Sequence, residues 1–157
     1  MKITLLAVGK TSQQFVKDGT EIYCERLKHY LPFQIKILPE SKMTKNLPLK
    51  QLKEQQDEII LKSLQDGDCT VLLDERGKNM DSLNFAAFIE KRLSTCAKQL
   101  VFVSGGPFGC SQKIHDIATE KIALSQMTFS HQLVRLIFVE QLYRAMTIIN
   151  HEPYHHV

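Results

Sequence analysis

The run Gly105-Gly106-Pro107-Phe108-Gly109 follows an apolar stretch, Leu100 to Val103, and is the first place where this chain offers chemistry. Glycines carry no side chain, so a ligand can lie against the backbone there. Its amides and carbonyls can then hydrogen-bond an adenine or ribose edge. The spacing is neither the GxGxxG dinucleotide fingerprint nor the GxxxxGK(S/T) phosphate loop. The same run is equally compatible with a tight connection. A second feature is a narrow polar stripe on an otherwise apolar segment: Glu140, Arg144, Thr147 and His151, at i, i+4, i+7 and i+11. It reads either as a solvated helix edge with a Glu140–Arg144 pair or as a strip facing a site, with Arg144 on a phosphate or base. A third is the tail, with His151, Tyr154, His155 and His156, residue types suited to stacking on a base and to proton transfer. A frayed terminus is the plain alternative. His131 and Arg135, one turn apart, fit capping and packing as well as function. The chain has no G-x-S-x-G elbow, no HExxH and no carboxylate dyad, so hydrolase chemistry lacks a nucleophile or a metal.

Strands and helices must position these residues. Ile3 to Val8 reads as a buried strand closed by Gly9. Ser12 offers an N-cap for a helix carrying Phe15, Ile22, Leu27 and Tyr30 up to Pro32. A second strand over Phe33 to Leu38 ends at Pro39, and the polar run Glu40 to Asn46 reads as a loop. Pro48 suits the first helical position, with Leu49, Leu52, Ile59, Ile60 and Leu64 recurring to Gly67. Thr70 to Leu73 is a third strand, followed by a polar loop over Asp74 to Asp81. Asp81 or Ser82 caps a helix carrying Leu83, Phe85, Ala86, Phe88, Ile89 and Leu93. Leu100 to Val103 is the fourth strand; Ser111 starts a short helix and Ile122 to Leu124 is a fifth strand. Gln132 to Asn150 is the last helix, apolar almost all round, which implies burial on several sides and a subunit interface. Alternating strands and helices predict a single α/β domain over residues 1–157 with a largely parallel sheet. In such sheets ligands lie beyond the carboxyl ends of the strands, at the loops after Leu73 and Val103.

The 157 residues are 43% hydrophobic and 24% charged, with a net charge of +3. That is the balance of a globular protein, and its mild basicity permits a polyanionic partner without demanding one. Cys24, Cys69, Cys96 and Cys110 form no CxxC pair or zinc spacing, which predicts four reduced thiols, no metal and a cytoplasmic setting. The apolar run at the start is short for a signal peptide, and no stretch is long and charge-free enough to span a membrane.

Taken together, several stretches resemble the ribosomal large-subunit methyltransferase H family, small enzymes of the SPOUT class. They are Met1 to Lys10 (MKITLLAVGK), the turn Gly105 to Gly109, the block Leu124 to Arg135 (LSQMTFSHQLVR), Glu140 to Ala145 (EQLYRA) and Pro153-Tyr154-His155. The resemblance covers essentially the whole chain. It implies a SPOUT α/β fold with a C-terminal trefoil knot, a homodimer, and S-adenosylmethionine (SAM) as methyl donor. It also implies N3 methylation of a pseudouridine in the helix 69 loop of large-subunit (23S) ribosomal RNA, on the assembled ribosome. By position, the family's cofactor contacts fall on Leu73, Gly105 and Leu124, Ser125, Gln126, Met127, Thr128 and Phe129. Ser130 stands where family members often carry proline, which loosens the loop before His131. His156 stands where lysine or arginine is usual, which weakens a phosphate contact.

N3 of pseudouridine lies between two carbonyls, so its proton must leave before or during attack on the methyl group. A base, or a cation beside the flanking oxygens, lowers that barrier. Arg144 is the candidate cation, and His155, from the same or the partner subunit, the candidate base. Tyr154 completes the catalytic set. The competing reading is a non-catalytic RNA-binding module of the same fold, which would not bind SAM. A flavodoxin-like nucleotide protein would lack the buried terminal helix.

Overall fold

The computed structural model describes residues 1–41 and 46–156, so the loop expected over Glu40 to Asn46 falls in part outside them. Five parallel strands, β1 (Lys2–Val8), β2 (Phe33–Leu38), β3 (Cys69–Asn79), β4 (Gln99–Ser104) and β5 (Glu120–Ala123), form one sheet in the order β2-β1-β4-β3-β5. Side chains alternate across a strand, and each strand therefore feeds two cores. Ile3, Leu5, Val71, Leu100 and Phe102 face one side, under α1 (Gln14–Leu27), α3 (Ser82–Thr95) and α5 (Leu133–Ile149). Leu6, Val8, Leu72, Val101 and Val103 face the other, with Ile60 of α2 (Leu49–Leu61) and Ile114 of α4 (Gln112–Ile117).

Several local expectations shift. Ser12 does not cap α1; its amide and hydroxyl bond the Gln132 side chain at the start of α5. Pro48 is the residue before α2, and the helix ends at Leu61, short of Leu64. Asp81 caps α3 by accepting from Asn84 N at 2.7 Å, and Ser111 caps α4. The largest correction concerns Asp74 to Asp81. β3 continues through Asn79, pairing with β5 at Leu73↔Ile122 and again at Lys78↔Ile122. The intervening residues form a bulge that leaves Glu75 and Arg76 exposed and Asp74 half-buried, and backbone pairing with β5 overrides their polar character. Gly77 makes this possible, because a Cβ there would meet the backbone of Lys121 and Ile122 at 2.7 Å.

Cys69 and Cys96 are joined as a disulfide with Cα atoms 5.8 Å apart, so the expectation of free thiols holds for Cys24 and Cys110 alone. The α3 hairpin back to β4 brings the two together across 27 residues, a proximity that spacing does not encode.

The apolar terminal helix is buried by its own chain. α5 lies between α1 and α3, with Phe138 on Phe102 at 4.6 Å between ring centroids and Gly19 of α1 close against Leu136. Its burial therefore does not require a second subunit. The polar stripe is also not one open edge: Thr147 is fully buried, donating to the Arg144 carbonyl at 2.7 Å. The tail is docked rather than frayed. Tyr154 donates to Glu140 at 3.1 Å and meets the Tyr23 hydroxyl at 3.3 Å, while Tyr30 bonds Glu152.

Candidate functional site

The bulge in the middle of β3 and the carboxyl ends of β4 and β5 open into a cleft of about 560 Å³, the place a parallel sheet offers a ligand. The glycine run forms one wall. Pro107 and Phe108 occupy the centre of a β-turn closed by Gly109 N donating to Gly106 O at 3.0 Å, proline being favoured at the second position of such turns. Gly109 has φ +71, the left-handed region where a side chain is strained. A Cβ on Gly105 would press on Gly109 and on Cys110 Sγ at 3.0–3.2 Å. Leu73 and the segment after β5, Leu124, Ser125, Met127, Thr128 and Phe129, line the same cleft. Gln126, between two lining neighbours, is exposed and is not among the residues that line it.

The structure also brings in residues that the sequence reading did not single out: Lys53 of α2, Asp74, Glu75 and Arg76 of the β3 bulge, and His115 of α4. For Asp74, Glu75 and Arg76 the signal was present only as a polar run read as a loop, and for Lys53 and His115 nothing local marked them within their helices. Asp74 accepts from Arg76 N at 2.8 Å and lies 3.4 Å from His115 Nε2. Burial alone would raise its carboxyl pKa, but the Arg76 amide and guanidinium, with His115 behind them, outweigh that and hold it below the usual carboxylate range. Thr128 bonds Glu75, tying the segment after β5 to the bulge. Burial, reinforced by Asp57 and Asp74, pushes the Cys110 thiol up to about 12, so it stays protonated and is no nucleophile.

His131 also lines the cleft. Ser130, expected to loosen this loop, instead orders it: its hydroxyl accepts from Leu133 N at 3.1 Å as α5 begins. Arg135, 1% exposed, donates to Val8 O at 2.6 Å and Thr11 Oγ1 at 2.8 Å, so it ties the end of β1 to α5. Burial, and then the Arg135 charge, lower the His131 pKa below its ordinary 6.5. The unfolded chain therefore takes up a proton near pH 6.5 that the folded chain resists, and stability falls as pH drops below that value. His131→Gln is expected to flatten the acid limb of a stability-against-pH curve measured by urea denaturation between about pH 7 and 5. An unchanged limb would remove His131 from that dependence.

Arg144, Tyr154 and His155 form a separate cluster. Arg144 donates to Glu140 at 2.6 Å, lies 3.3 Å from His155 Nδ1 and stacks 4.7 Å from the Tyr154 ring centroid. Burial, then hydrogen bonding to Tyr23 and Glu140, raises the Tyr154 pKa, so the phenol acts as a donor and a stacking surface rather than a base. None of the three lines the cleft of the same chain. Val134, in the cleft, and Arg144 are ten residues apart on α5, roughly 15 Å at 1.5 Å per residue. Among the described residues no group of three or more His, Cys, Asp or Glu side chains could hold a metal ion. No helix there is long and apolar enough to cross a membrane.

Comparison with known proteins places this geometry. A family model described as "Predicted SPOUT methyltransferase" matches residues 1–155. The chain is 53% identical to the "Ribosomal RNA large subunit methyltransferase H" of Parabacteroides distasonis and 55% identical to that of Phocaeicola vulgatus. Each match runs over 156 residues and 99% of both chains. Among solved structures, a probable methyltransferase from Bordetella pertussis Tohama I matches with a TM-score of 0.53 and 11% identity, covering 92% of each chain. A probable methylase family protein from Haemophilus influenzae Rd KW20 matches at 0.50 and 12%, covering 99% of this chain and 70% of the other. At those identities the structural likeness is one of fold.

Proposed function

This chain belongs to the SPOUT methyltransferase family, and from that membership we propose that it transfers a methyl group from SAM to N3 of a pseudouridine in the helix 69 loop of large-subunit ribosomal RNA. The relatives' name supplies the class of RNA. The base, its position and the assembled ribosome as substrate come from the resemblance. The cleft carries the cofactor half. Its volume of about 560 Å³ suits a small ligand, and its glycine wall is a surface that a side chain would fill. Gly105 would offer backbone groups to the adenosine, and Leu73, Leu124 and Phe129 the apolar walls. Bound there, SAM supplies an electrophilic methyl group on a sulfonium.

This chain's residues do the rest by positioning and electrostatics. Arg144 brings a planar cation to the pseudouridine oxygens as N3 loses its proton, His155 accepts that proton, and Tyr154 stacks on the base. Since one chain's cluster sits roughly 15 Å along α5 from its own cleft, the reading takes a homodimer in which the tail of a second copy reaches the cleft. It also takes the family's trefoil knot, and a cytoplasmic enzyme working where ribosomes are. Light scattering at micromolar concentration is expected to return twice the chain mass; a monomer would remove the shared site.

The decisive experiment is mass mapping of ribosomal RNA from a strain lacking the protein. One pseudouridine is expected to lose one methyl group, and purified protein with tritiated SAM to restore it; an unchanged map would overturn the reading. Arg144→Ala, and deletion of residues 154–157, are each expected to leave S-adenosylhomocysteine (SAH) binding nearly intact. Each should slow methyl transfer to ribosomes at least about tenfold, the effect of losing roughly 1.4 kcal/mol of transition-state stabilisation. Arg144→Lys keeps the charge but loses the planar fork, so it should rescue poorly. Wild-type rates in both variants would leave the cluster without a catalytic role.

A further inference from the structure

The second turn of α2 buries two polar side chains that no step above uses. Gln56 is 4% exposed and Asp57 0%. Both are directed at one segment, the end of the glycine wall. Gln56 Nε2 donates to Gly109 O at 3.4 Å. Asp57 accepts from Ser111 N at 3.2 Å through Oδ2 and also from the Ser111 hydroxyl. Gln56 also packs flat on Gly106: a Cβ there would lie 3.0 Å from Gln56 Oε1. Asp57 has no salt-bridge partner among the described residues. A buried carboxylate without a cation is costly unless donors are aimed at it, and here the donors belong to the wall.

We propose, on the reading that Gly105 to Gly109 holds the cofactor, that Gln56 and Asp57 are positioning residues. They set the height and tilt of the glycine wall from behind and so determine cofactor affinity, without touching the ligand. The wall needs such support. It is a glycine-rich turn with positive φ at Gly109, and its intrinsic freedom is large. Its own closure is the single bond from Gly109 N to Gly106 O. The α2 clamp fixes it at Gly106, Gly109 and Ser111. Pre-organised walls bind more tightly because less freedom is lost on binding.

The test is calorimetric titration of SAH into the wild type, Asp57→Asn, Ser111→Ala and the double variant. Steady-state methyl transfer to ribosomes at varied SAM accompanies it. Each single variant is expected to raise the dissociation constant about tenfold. The double variant is expected to lose less affinity than the two single losses combined, because the changes share the Asp57–Ser111 hydroxyl contact, while Ser111→Ala alone also removes the α4 cap. KM for SAM should rise in step while kcat at saturation stays within about twofold of wild type. A purely structural role would lower the melting temperature and leave the dissociation constant of the folded protein unchanged, and that result overturns the proposal. Ser111→Ala, a surface-proximal truncation, keeps the test open if Asp57→Asn fails to fold. Failure of wild-type protein to bind SAH would instead defeat the cofactor reading itself.

Discussion

Gly105→Val is expected to weaken SAH binding at least about a hundredfold, roughly 2.7 kcal/mol. Gly105 sits where β4 ends and the cleft begins, and a bare Cβ there would already lie 3.0 Å from the Gly109 carbonyl carbon and 3.1 Å from Cys110 Sγ. Two further methyl groups must displace the turn or enter the space a ligand would occupy. Cys110 is half-buried between the wall and α4, so it has little room to give. The substitution lies outside both hydrophobic cores, so the melting temperature should move far less than the affinity. Calorimetry reads the first and thermal denaturation the second. Undiminished binding in a folded variant would take Gly105 out of the site.

Phe138→Ala is expected to cost about 3–5 kcal/mol of stability, the range for truncating a fully buried aromatic. Phe138 is wholly buried at the centre of α5, its ring 4.6 Å from Phe102 of β4. The larger core here joins that helix to the sheet and to α1 and α3. Little can collapse into the void, because its neighbours are strands fixed on both edges by pairing. α5 also carries Val134 and the segment leading into the cleft at one end, and Arg144 under the docked tail at the other. Loosening its middle should degrade both. Urea denaturation measures the loss; a cost under about 1 kcal/mol would show that Phe138 is not packed as described.

The parallel α/β class, the number and order of elements and the position of a cleft at the loops after Leu73 and Val103 were legible in the chain. They depend on local properties: alternation at period 2, helical spacing, the punctuation of Gly9 and Gly105 to Gly109, and the capping chemistry of Asp81 and Ser111. The family was legible because its motifs are spread over the whole length. The segment from Leu124 to Phe129 was legible as a group, and all of it but Gln126 lines the cleft.

What only the tertiary structure decided were relations between distant segments. The polar run Asp74 to Asn79 became strand because β5 pairs with it, and a sequence window sees polarity but not the partner strand. Cys69 meets Cys96, and Gln56 and Asp57 meet the glycine wall, through packing of elements that no local signal connects. The helix apolar all round called for partners, and its own α1 and α3 supply them. Most consequentially, Arg144, Tyr154 and His155 gather at one end of α5 and the cleft opens at the other. By itself the sequence determined which residue types are available for chemistry. Where they stand relative to one another was decided by the three-dimensional path of the chain, because contact energies act through space and local propensity acts along it.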